Sequence, residues 1–285
     1  MESFENFYAY TPMEYFMVAH TLTLGFAVML AALIYFVLTI RTVAPRFRIS
    51  SILSVVVMVS AFLILFAQTT SWTNAFALND ATGLYEKAAG ADGFTNGYRY
   101  LNWLIDVPML LFQILFVVDL TKERRVELRN WFWFSGTMMI VTGYIGQFFE
   151  SANIEGATGG GAAALASFLI WGTISTLFFF HVLYLMNKLI AESRENMSDR
   201  ASGVFGNIWW LFLVSWMLYP GGYLMPLLLP NAAGVVGRQL TYTVADVTSK
   251  VIYGILLTLA AQYRSEDEYD YKYDELTGAA AAAGD

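Results

Sequence analysis

The chain has 285 residues, of which 57% are hydrophobic and only 14% are charged, with a formal net charge of −7. A soluble domain is usually closer to a quarter charged, so this composition indicates a protein that crosses a lipid bilayer several times. The absence of cysteine excludes a disulfide framework and thiol chemistry. No basic patch lies outside the short connections, so nucleic-acid binding gets no support.

Seven apolar segments follow one another along the chain, and each is long enough to cross a hydrocarbon core of roughly 30 Å as a helix. The sequence therefore predicts an all-α membrane protein with one seven-helix bundle over residues 14–264. An N-terminal segment, 1–13, precedes the bundle, and an acidic tail, 265–285, follows it and is expected to be disordered. The polar connection 78–96 is long enough for a short hairpin. The predicted spans are 14–41, 49–77, 97–120, 127–149, 163–191, 203–229 and 234–264.

Basic residues are distributed unevenly among the connections. They flank the first, third and fifth connections and follow the last span, whereas the other connections hold almost none beyond Lys87. The positive-inside rule then places the N-terminus outside and the C-terminus in the cytoplasm of a multi-pass protein of the plasma membrane. An odd number of spans requires the same arrangement. The basic residues are Arg41, Arg46, Arg48, Lys122, Arg124, Arg125, Arg129, Lys188, Arg194, Arg200 and Arg264.

The seventh span carries a lysine near its middle, in "LTYTVADVTSKVIYG". At 1.5 Å per residue, Lys250 lies roughly 20 Å from the cytoplasmic end of the span, too deep for its side chain to reach water easily. Asp246 lies one turn earlier on the same helix face. A lysine at this depth needs an anionic partner, loses its proton or forms a covalent bond to a carbonyl compound. A simple buried ion pair and a covalent Schiff base both remain open on this evidence.

The third span, in "RYLNWLIDVPMLLFQ", places four polar side chains on one helix face: Arg99, Asn102, Asp106 and Gln113. Together they form a polar line of roughly 20 Å along the helix. Such a line could hold helices together through hydrogen bonds. A carboxylate between two amides on one face is the better match to a path for a small ion.

These stretches carry a family resemblance. "RYLNWLIDVP" in span three, "WMLYPGGYLMP" in span six and "DVTSK" in span seven are similar to the microbial rhodopsins, and the resemblance extends over nearly the whole chain. It implies a seven-helix bundle of that type, with all-trans retinal bound to Lys250 as a protonated Schiff base. It also implies that light supplies the energy and that the protein transports an ion and is not an enzyme.

Within that family, Asn102, Asp106 and Gln113 resemble the Asn-Asp-Gln triplet of the sodium-pumping rhodopsins. The resemblance implies an outward sodium pump in which Asp106 is the counterion and transient proton acceptor, with sodium held briefly near Asn102 and Asp106. An outward proton pump that uses Asp106 as acceptor, also as a secondary mode without sodium, is the alternative. A photosensor, a light-gated channel and a seven-helix receptor or transporter without retinal are more remote.

The resemblance assigns roles to further positions. Asp246 is the second carboxylate at the Schiff base. The walls of the retinal pocket are Trp103, Gly143, Trp216, Tyr219 and Pro220. The transport path includes Ser60, Gln68, Arg99, Ser51 and Thr258, and the last two stand where the subfamily commonly has Asn and Gly.

Two more groups of residues belong to the outer side and the oligomer. The outer charges are Glu5, Asp92, Glu150 and Arg238, and for the three acids a solvated helix end or loop is an equally good interpretation. His20 and Tyr98 match positions at a subunit interface in the subfamily. They indicate a homo-oligomer, with a pentamer favoured.

Overall fold

The computed structural model describes residues 3–154, 157, 160–195 and 197–282. Within this part of the chain, seven long helical segments pack side by side, and segments adjacent in sequence contact each other. The seventh is built from two helices joined by a π-helical turn, Val247–Ile252. The helices are α1 (Pro12–Thr39), α2 (Arg48–Ala75), α3 (Gly97–Leu115), α4 (Lys122–Gln147), α5 (Ala162–Arg194), α6 (Asp199–Tyr223), the short α7 (Met225–Leu228), α8 (Ala232–Asp246) and α9 (Tyr253–Ala282).

The predicted seven-helix architecture is confirmed, although the helices differ in how apolar they are. Five helical stretches among the described residues are long and apolar enough to cross a membrane, and α3 and α4 are not among them. These two helices are less apolar because α3 carries a buried polar stripe and the first turn of α4 is charged. The five stretches are Pro12–Thr42, Pro45–Ala75, Ala162–Arg194, Asp199–Tyr223 and Ala232–Tyr269.

Two predicted spans are too long at their C-terminal ends. The third helix ends at Leu115 and not at residue 120, and the chain then turns so that the Thr121 side chain can cap α4 by accepting a hydrogen bond from Arg124 N. The sixth helix ends at Tyr223 and not at residue 229. Pro226 has no backbone N–H with which to continue the hydrogen-bond pattern of α6, so the helix is interrupted and α7 begins with this proline in its first turn.

One end of the bundle, called here the hairpin end, carries the N-terminal segment and the predicted hairpin. Strands β1 (Phe76–Asn79) and β2 (Leu84–Lys87) pair antiparallel, and Tyr10 adds a bridge to Tyr85. Gly83 has a φ of 69° in the turn, a conformation that glycine adopts without steric cost. A second, smaller core of buried aromatic side chains lies beneath the hairpin: Phe4, Tyr10, Trp72, Phe76 and Phe94.

At the opposite end, called the tail end, α9 is longer than expected. The sequence predicts disorder from residue 265, whereas α9 continues to Ala282. Contacts with the connections at this end hold the first turn beyond residue 264: Ser265 Oγ accepts a hydrogen bond from Ala44 N at 2.8 Å, and Ser198 Oγ donates one to Asp267 at 2.6 Å. The first turn of the acidic tail is therefore part of the folded molecule.

Candidate functional site

The ammonium group of Lys250 lies in the centre of the bundle and is 1% exposed. Its Nζ donates to Asn102 Oδ1 at 2.5 Å and lies 3.1 Å from Asp106 Oδ2 and 3.0 Å from Asp246 Oδ1. Lys250 occupies the π-helical turn, an irregularity that is frequent at functional sites. The structure thus brings together the lysine, the two predicted carboxylates and the first amide of the triplet.

The two carboxylates at Lys250 have different surroundings. Asp246 Oδ1 accepts hydrogen bonds from Trp103 Nε1 at 2.9 Å and from the Tyr219 hydroxyl at 3.0 Å, and Arg99 Nη1 donates to its other oxygen at 2.6 Å. Such a set of donors favours the ionised form of a carboxylate. Asp106 has no comparable set of donors, so its charge depends mainly on the neighbouring lysine.

Asn102 bridges α2 and the seventh helix. Its Nδ2 donates to Ser60 Oγ at 3.0 Å while its Oδ1 faces Lys250. These two contacts fix which end of the amide points at the lysine, because the nitrogen is committed to the serine hydroxyl. An uncharged oxygen is therefore presented beside the Lys250 nitrogen.

An apolar cavity of about 290 Å³ opens beside Lys250. This volume is close to the lower end of the roughly 300–1,000 Å³ typical of ligand pockets. A Cβ added at Gly143 would lie 3.2 Å from Ser175 Oγ, so glycine keeps this wall of the cavity open. The apolar lining and the single lysine at the site fit the retinal that the sequence resemblance implies. All five predicted pocket residues line the cavity: Trp103, Gly143, Trp216, Tyr219 and Pro220.

A buried hydrogen-bond network runs from the lysine site toward the hairpin end. Arg99 Nη2 donates to Thr243 Oγ1 at 2.9 Å and to Gln239 Oε1 at 3.4 Å. Gln239 Nε2 in turn donates to Asn96 Oδ1 at 3.0 Å. The predicted path residue Gln68 also donates to Asn96 Oδ1, at 3.1 Å, so it belongs to this network.

The network ends in a second charged cluster at the hairpin end. Arg238 Nη2 pairs with Glu150 Oε2 at 2.6 Å, and its Nη1 lies 3.5 Å from Glu5 Oε1. Glu5 Oε1 also accepts hydrogen bonds from Asn96 at 2.6 Å and from Gln239 at 2.8 Å. The Arg238 and Glu5 side chains are fully buried, so the alternative of a solvated helix end is wrong for Glu5.

Glu150 is buried as well, in the 3-10 turn Glu150–Asn153 that follows α4. Its Oε1 accepts hydrogen bonds from Ser3 Oγ at 3.0 Å and from Phe4 N at 2.9 Å, which anchors the N-terminal segment over the bundle. Burial raises the pKa of the Glu150 carboxyl, although Arg238 acts in the opposite direction. The solvated interpretation is therefore wrong for this residue too.

The predicted path residues toward the tail end are buried but are not joined into a network. Gln113 is 1% exposed, and neither its amide oxygen nor its amide nitrogen has a hydrogen-bond partner in the described part of the chain. The Ser51 hydroxyl is equally without a partner there, and Thr258 donates to Gly254 O of its own helix at 2.9 Å. The side-chain polar atoms of Gln113 and Ser51 are thus available for hydrogen bonding on this side of Lys250.

Three predicted residues lie apart from the buried site. Asp92 is exposed in the connection before α3, so the solvated interpretation fits it. His20 is exposed on α1, where its ring stacks on Phe16, and Tyr98 is half-buried at the start of α3. None of these side chains contacts the lysine site or the Arg238 cluster.

Sequence reasoning missed four members of the site: Asn96, Gln239, Thr243 and Ser249. A usable signal existed for Gln239 and Thr243, because they share the face of the seventh helix that carries Asp246 and Lys250. Ser249 directly precedes Lys250 and would point about 100° away from it on a regular helix, so periodicity does not find it. It joins the site through a hydrogen bond of 2.9 Å with Tyr219 from within the π-helical turn. Asn96 lies in a connection, where helix periodicity gives no information.

Comparison with protein families places this site in context. A family model described as bacteriorhodopsin-like protein matches residues 16–263. The crystallographic structure of xanthorhodopsin, a light-driven ion pump with dual chromophore, is similar at a TM-score of 0.80 and 33% identity, covering 91% of this chain and 98% of that chain. A thermophilic rhodopsin is similar at a TM-score of 0.80 and 30% identity, covering 92% of this chain and 98% of that chain.

Curated relatives with rhodopsin names match this chain over shorter lengths. Bacteriorhodopsin-II of Haloarcula marismortui is 26% identical over 159 residues, 56% of this chain and 57% of that protein. The chain spans less than two thirds of the length of this and the next curated relatives that it matches. Archaerhodopsin-1 of Halorubrum ezzemoulense is 28% identical over 207 residues, 71% of each protein.

Removal of the Arg238 charge is predicted to have a large effect on the stability of the protein. We expect Arg238→Gln to lower the free energy of unfolding by about 3–5 kcal/mol, because it leaves two carboxylates buried without their cation. Arg129→Gln is the matched control, since Arg129 is exposed and contacts its neighbour Asn130, and it should change stability by less than about 0.5 kcal/mol. Denaturation of the purified protein in detergent measures both. Equal stabilities would show that the cluster does not behave as a buried charge unit.

Proposed function

The chain belongs to the bacteriorhodopsin-like family of microbial rhodopsins, whose members bind retinal, and we propose that it is a light-driven outward sodium pump. One observation carries the choice of ion. The Lys250 nitrogen faces the neutral oxygen of Asn102 at 2.5 Å and the Asp106 carboxylate at 3.1 Å. A neutral oxygen at the position of Asn102, in place of a third carboxylic acid beside Asp106 and Asp246, suits the passage of a metal cation better than a relay of acids would.

Lys250 is the residue proposed to hold the cofactor. Retinal bound to it would absorb the photon and keep a proton on the lysine nitrogen in the dark. The cavity would receive the apolar chain of the cofactor, and its aromatic walls would keep water away from the nitrogen. Asp106 and Asp246 together balance the buried positive charges of Lys250 and Arg99.

A positive charge on the lysine nitrogen is the barrier that a pump for cations must remove. Two unit charges about 4 Å apart interact by about 4 kcal/mol at an effective dielectric constant of about 20. When the proton moves from the Lys250 nitrogen to Asp106, both groups become neutral. Asp246 stays ionised, because Arg99, Trp103 and Tyr219 stabilise its charge. The positive charge of the lysine is then gone, while Arg99 and the other donors around Asp246 remain in place.

Oxygen atoms then serve as ligands for the passing ion. Sodium is a hard cation that prefers oxygen, and Asn102 Oδ1 supplies one without offering a proton site. Gln113, further along α3, has no acidic proton to return to the lysine. The proton therefore goes back from Asp106 to Lys250 and does not cross the membrane. Ser51 and Thr258, on the same side, contribute hydroxyl groups to the entry route.

The orientation follows from charge. Arginine and lysine residues concentrate at the tail end, so this end is proposed to face the cytoplasm, and the hairpin end faces outside. Sodium would enter past Gln113 and leave past Arg99 toward Glu5 and Glu150. The acidic cluster thus lies on the proposed exit side.

The exposed side of α1 is proposed to form the interface of a pentamer. His20 and Phe16 stack on each other at 5.9 Å and face away from the bundle. An imidazole on an otherwise apolar membrane-facing surface is expected to find a polar partner, because lipid offers none. Tyr98 of a neighbouring copy is the partner that the sequence resemblance implies.

An outward proton pump is the second candidate. The placement of Asp106 beside Lys250 favours it to the same degree, since proton transfer between these groups is the first step of either mechanism. The two functions differ in whether that proton is released outside or returned to Lys250.

Transport in cells separates the two functions. In illuminated cells suspended in sodium chloride, we expect an uncoupler to increase light-driven proton uptake, because sodium export drives protons inward passively. Replacing sodium by a large organic cation is the control and should abolish that uptake. Acidification of the medium that persists in sodium and disappears with the uncoupler would identify a proton pump instead.

Substitution tests the roles of the two central residues. Asp106→Asn should retain a visible absorption band at a shifted wavelength and reduce transport by at least about 100-fold, the usual effect of losing a proton-transfer group. Lys250→Ala should give no visible band with added retinal, because no amine remains for attachment. Absorption spectra and ion fluxes of the same preparations measure both effects. Normal transport by Asp106→Asn would contradict the proton-acceptor role.

Native mass spectrometry tests the proposed pentamer. We expect the wild-type protein in mild detergent to give the mass of five chains, and His20→Ala to shift the population toward smaller species. Leu177→Ala is the control, because Leu177 is 64% exposed on α5, away from the proposed interface. A wild-type protein that gives the mass of one chain at all concentrations would exclude the pentamer.

A further inference from the structure

One face of the first turns of α4, at the tail end of the bundle, carries three basic side chains. Lys122, Arg125 and Arg129 are spaced three and four residues apart, so they fall within about 60° of one another around the helix. Lys122 and Arg129 are exposed, and Arg125 is half-buried. Trp133 continues this face one turn further along α4 and is 56% exposed. These four residues are called here the basic face of α4.

The charges of the basic face are not balanced by acids within the described residues. The side chains of Lys122 and Arg125 have no ion pair or hydrogen bond there, and the Arg125 Nε atom is buried without a partner. The guanidinium group of Arg129 donates to Asn130 Oδ1 at 3.3 and 3.2 Å, but this oxygen belongs to a neutral amide. The basic face therefore keeps its full positive charge.

The adjacent arginine has the opposite surroundings. Arg124 Nη1 pairs with Glu127 Oε2 at 2.8 Å, and its Nη2 pairs with Glu192 Oε1 of α5 at 3.2 Å. The two acids of these turns, Glu123 and Glu127, are each two residues from Arg125, which places them about 160° from it around the helix. Charge is thus segregated at the start of α4, with paired charges on one side and cations alone on the other.

The three cations of the basic face repel one another. Side chains three or four residues apart on a helix are neighbours, so Lys122 with Arg125 and Arg125 with Arg129 form two destabilising like-charge pairs. The N-terminal end of a helix also carries a partial positive charge, which adds to the repulsion. An anion bound against the basic face would relieve both effects.

The position of the basic face along α4 favours a lipid as the source of that anion. Lys122 to Arg129 covers about 10 Å of helix, comparable with the roughly 5–8 Å of polar headgroup region on each side of a bilayer. An exposed tryptophan one turn deeper is typical of the boundary between headgroups and hydrocarbon. A phosphate held at the level of Arg125 would therefore place its acyl chains beside Trp133.

We propose that the basic face of α4 binds the headgroup of an anionic phospholipid. Guanidinium groups match the geometry of phosphate oxygens, so Arg125 and Arg129 hold the phosphate while Lys122 adds a third positive charge. The lipid anchors the start of α4 in the headgroup region of the membrane. This inference does not depend on which ion the protein transports.

Titration with lipid tests the proposal on the full-length pigment with retinal bound. Native mass spectrometry in mild detergent measures the affinity for phosphatidylglycerol. We expect the double variant Lys122→Gln, Arg125→Gln to weaken this affinity about 25-fold, which is about five-fold for each positive charge removed near a headgroup. Phosphatidylcholine, whose headgroup has no net charge, is the control lipid and should bind more weakly to the wild type and equally to the variant.

Two further variants sharpen the test. Arg124→Gln is the matched control, because it removes a charge from the same turn that is already paired with Glu127 and Glu192, and it should change the affinity by less than about two-fold. Arg129→Gln removes one charge from the deeper end of the basic face and should weaken binding about five-fold. It decides the matter if the double variant loses its visible absorption band.

Three results would overturn the lipid site. The first is a wild-type affinity for phosphatidylglycerol in both the double variant and Arg129→Gln. The second is a wild-type protein that binds phosphatidylglycerol no more tightly than phosphatidylcholine, which would mean that another occupant, such as acidic residues of the chain itself, already neutralises the face. The third is displacement of the lipid by inorganic phosphate at equal concentration, which would identify a site for a free anion.

Discussion

Two cations and two carboxylates are buried together in the middle of this bundle, and the rest of the structure is arranged around them. Lys250, Arg99, Asp106 and Asp246 are each at most 1% exposed. Moving such charges out of water costs several kcal/mol per ion unless each finds a partner and further hydrogen bonds. The balance of two positive and two negative charges satisfies that condition. It also means that moving one proton within the group redistributes charge without exposing any of it to water.

The two carboxylates, Asp106 and Asp246, differ in their roles because their surroundings in this arrangement differ. Asp246 receives hydrogen bonds from Trp103, Tyr219 and Arg99, so its environment is already complete. Asp106 is balanced chiefly by the lysine and is the group whose charge can change at low cost. Since the amide of Asn102 is fixed by Ser60, its oxygen keeps its position when the charges around it change. A fixed anion and a variable one thus lie within hydrogen-bonding distance of the same nitrogen.

The sequence predicted the centre of the molecule better than its ends. Lys250 and Asp246 were found because an ionisable residue in an apolar helix stands out, and Asp106 and Asn102 followed from helix periodicity. The π-helical turn at Lys250 was not predicted, because backbone hydrogen bonding leaves no signature in the residue pattern. The burial of Glu5 and Glu150 also escaped prediction. This burial depends on tertiary contacts, because the segment Phe4–Phe7 folds back over the bundle. The hydrogen bonds of Ser3 and Phe4 to Glu150 join residues that are 147 and 146 positions apart in the sequence.

The continuation of α9 beyond the bundle connects it to the start of α6 and to the connection after α3. Ser198 caps the start of α6 and also donates to Asp267 on α9, while Arg264 of α9 donates to Val117 O in the connection after α3 at 2.6 Å. The helix that carries the lysine and the helix that carries Trp216 and Tyr219 are therefore braced against each other at the same end. An outward displacement of α6 at that end would have to break the hydrogen bond from Ser198 to Asp267 on the lysine-bearing helix. A displacement of either helix is therefore transmitted to the other.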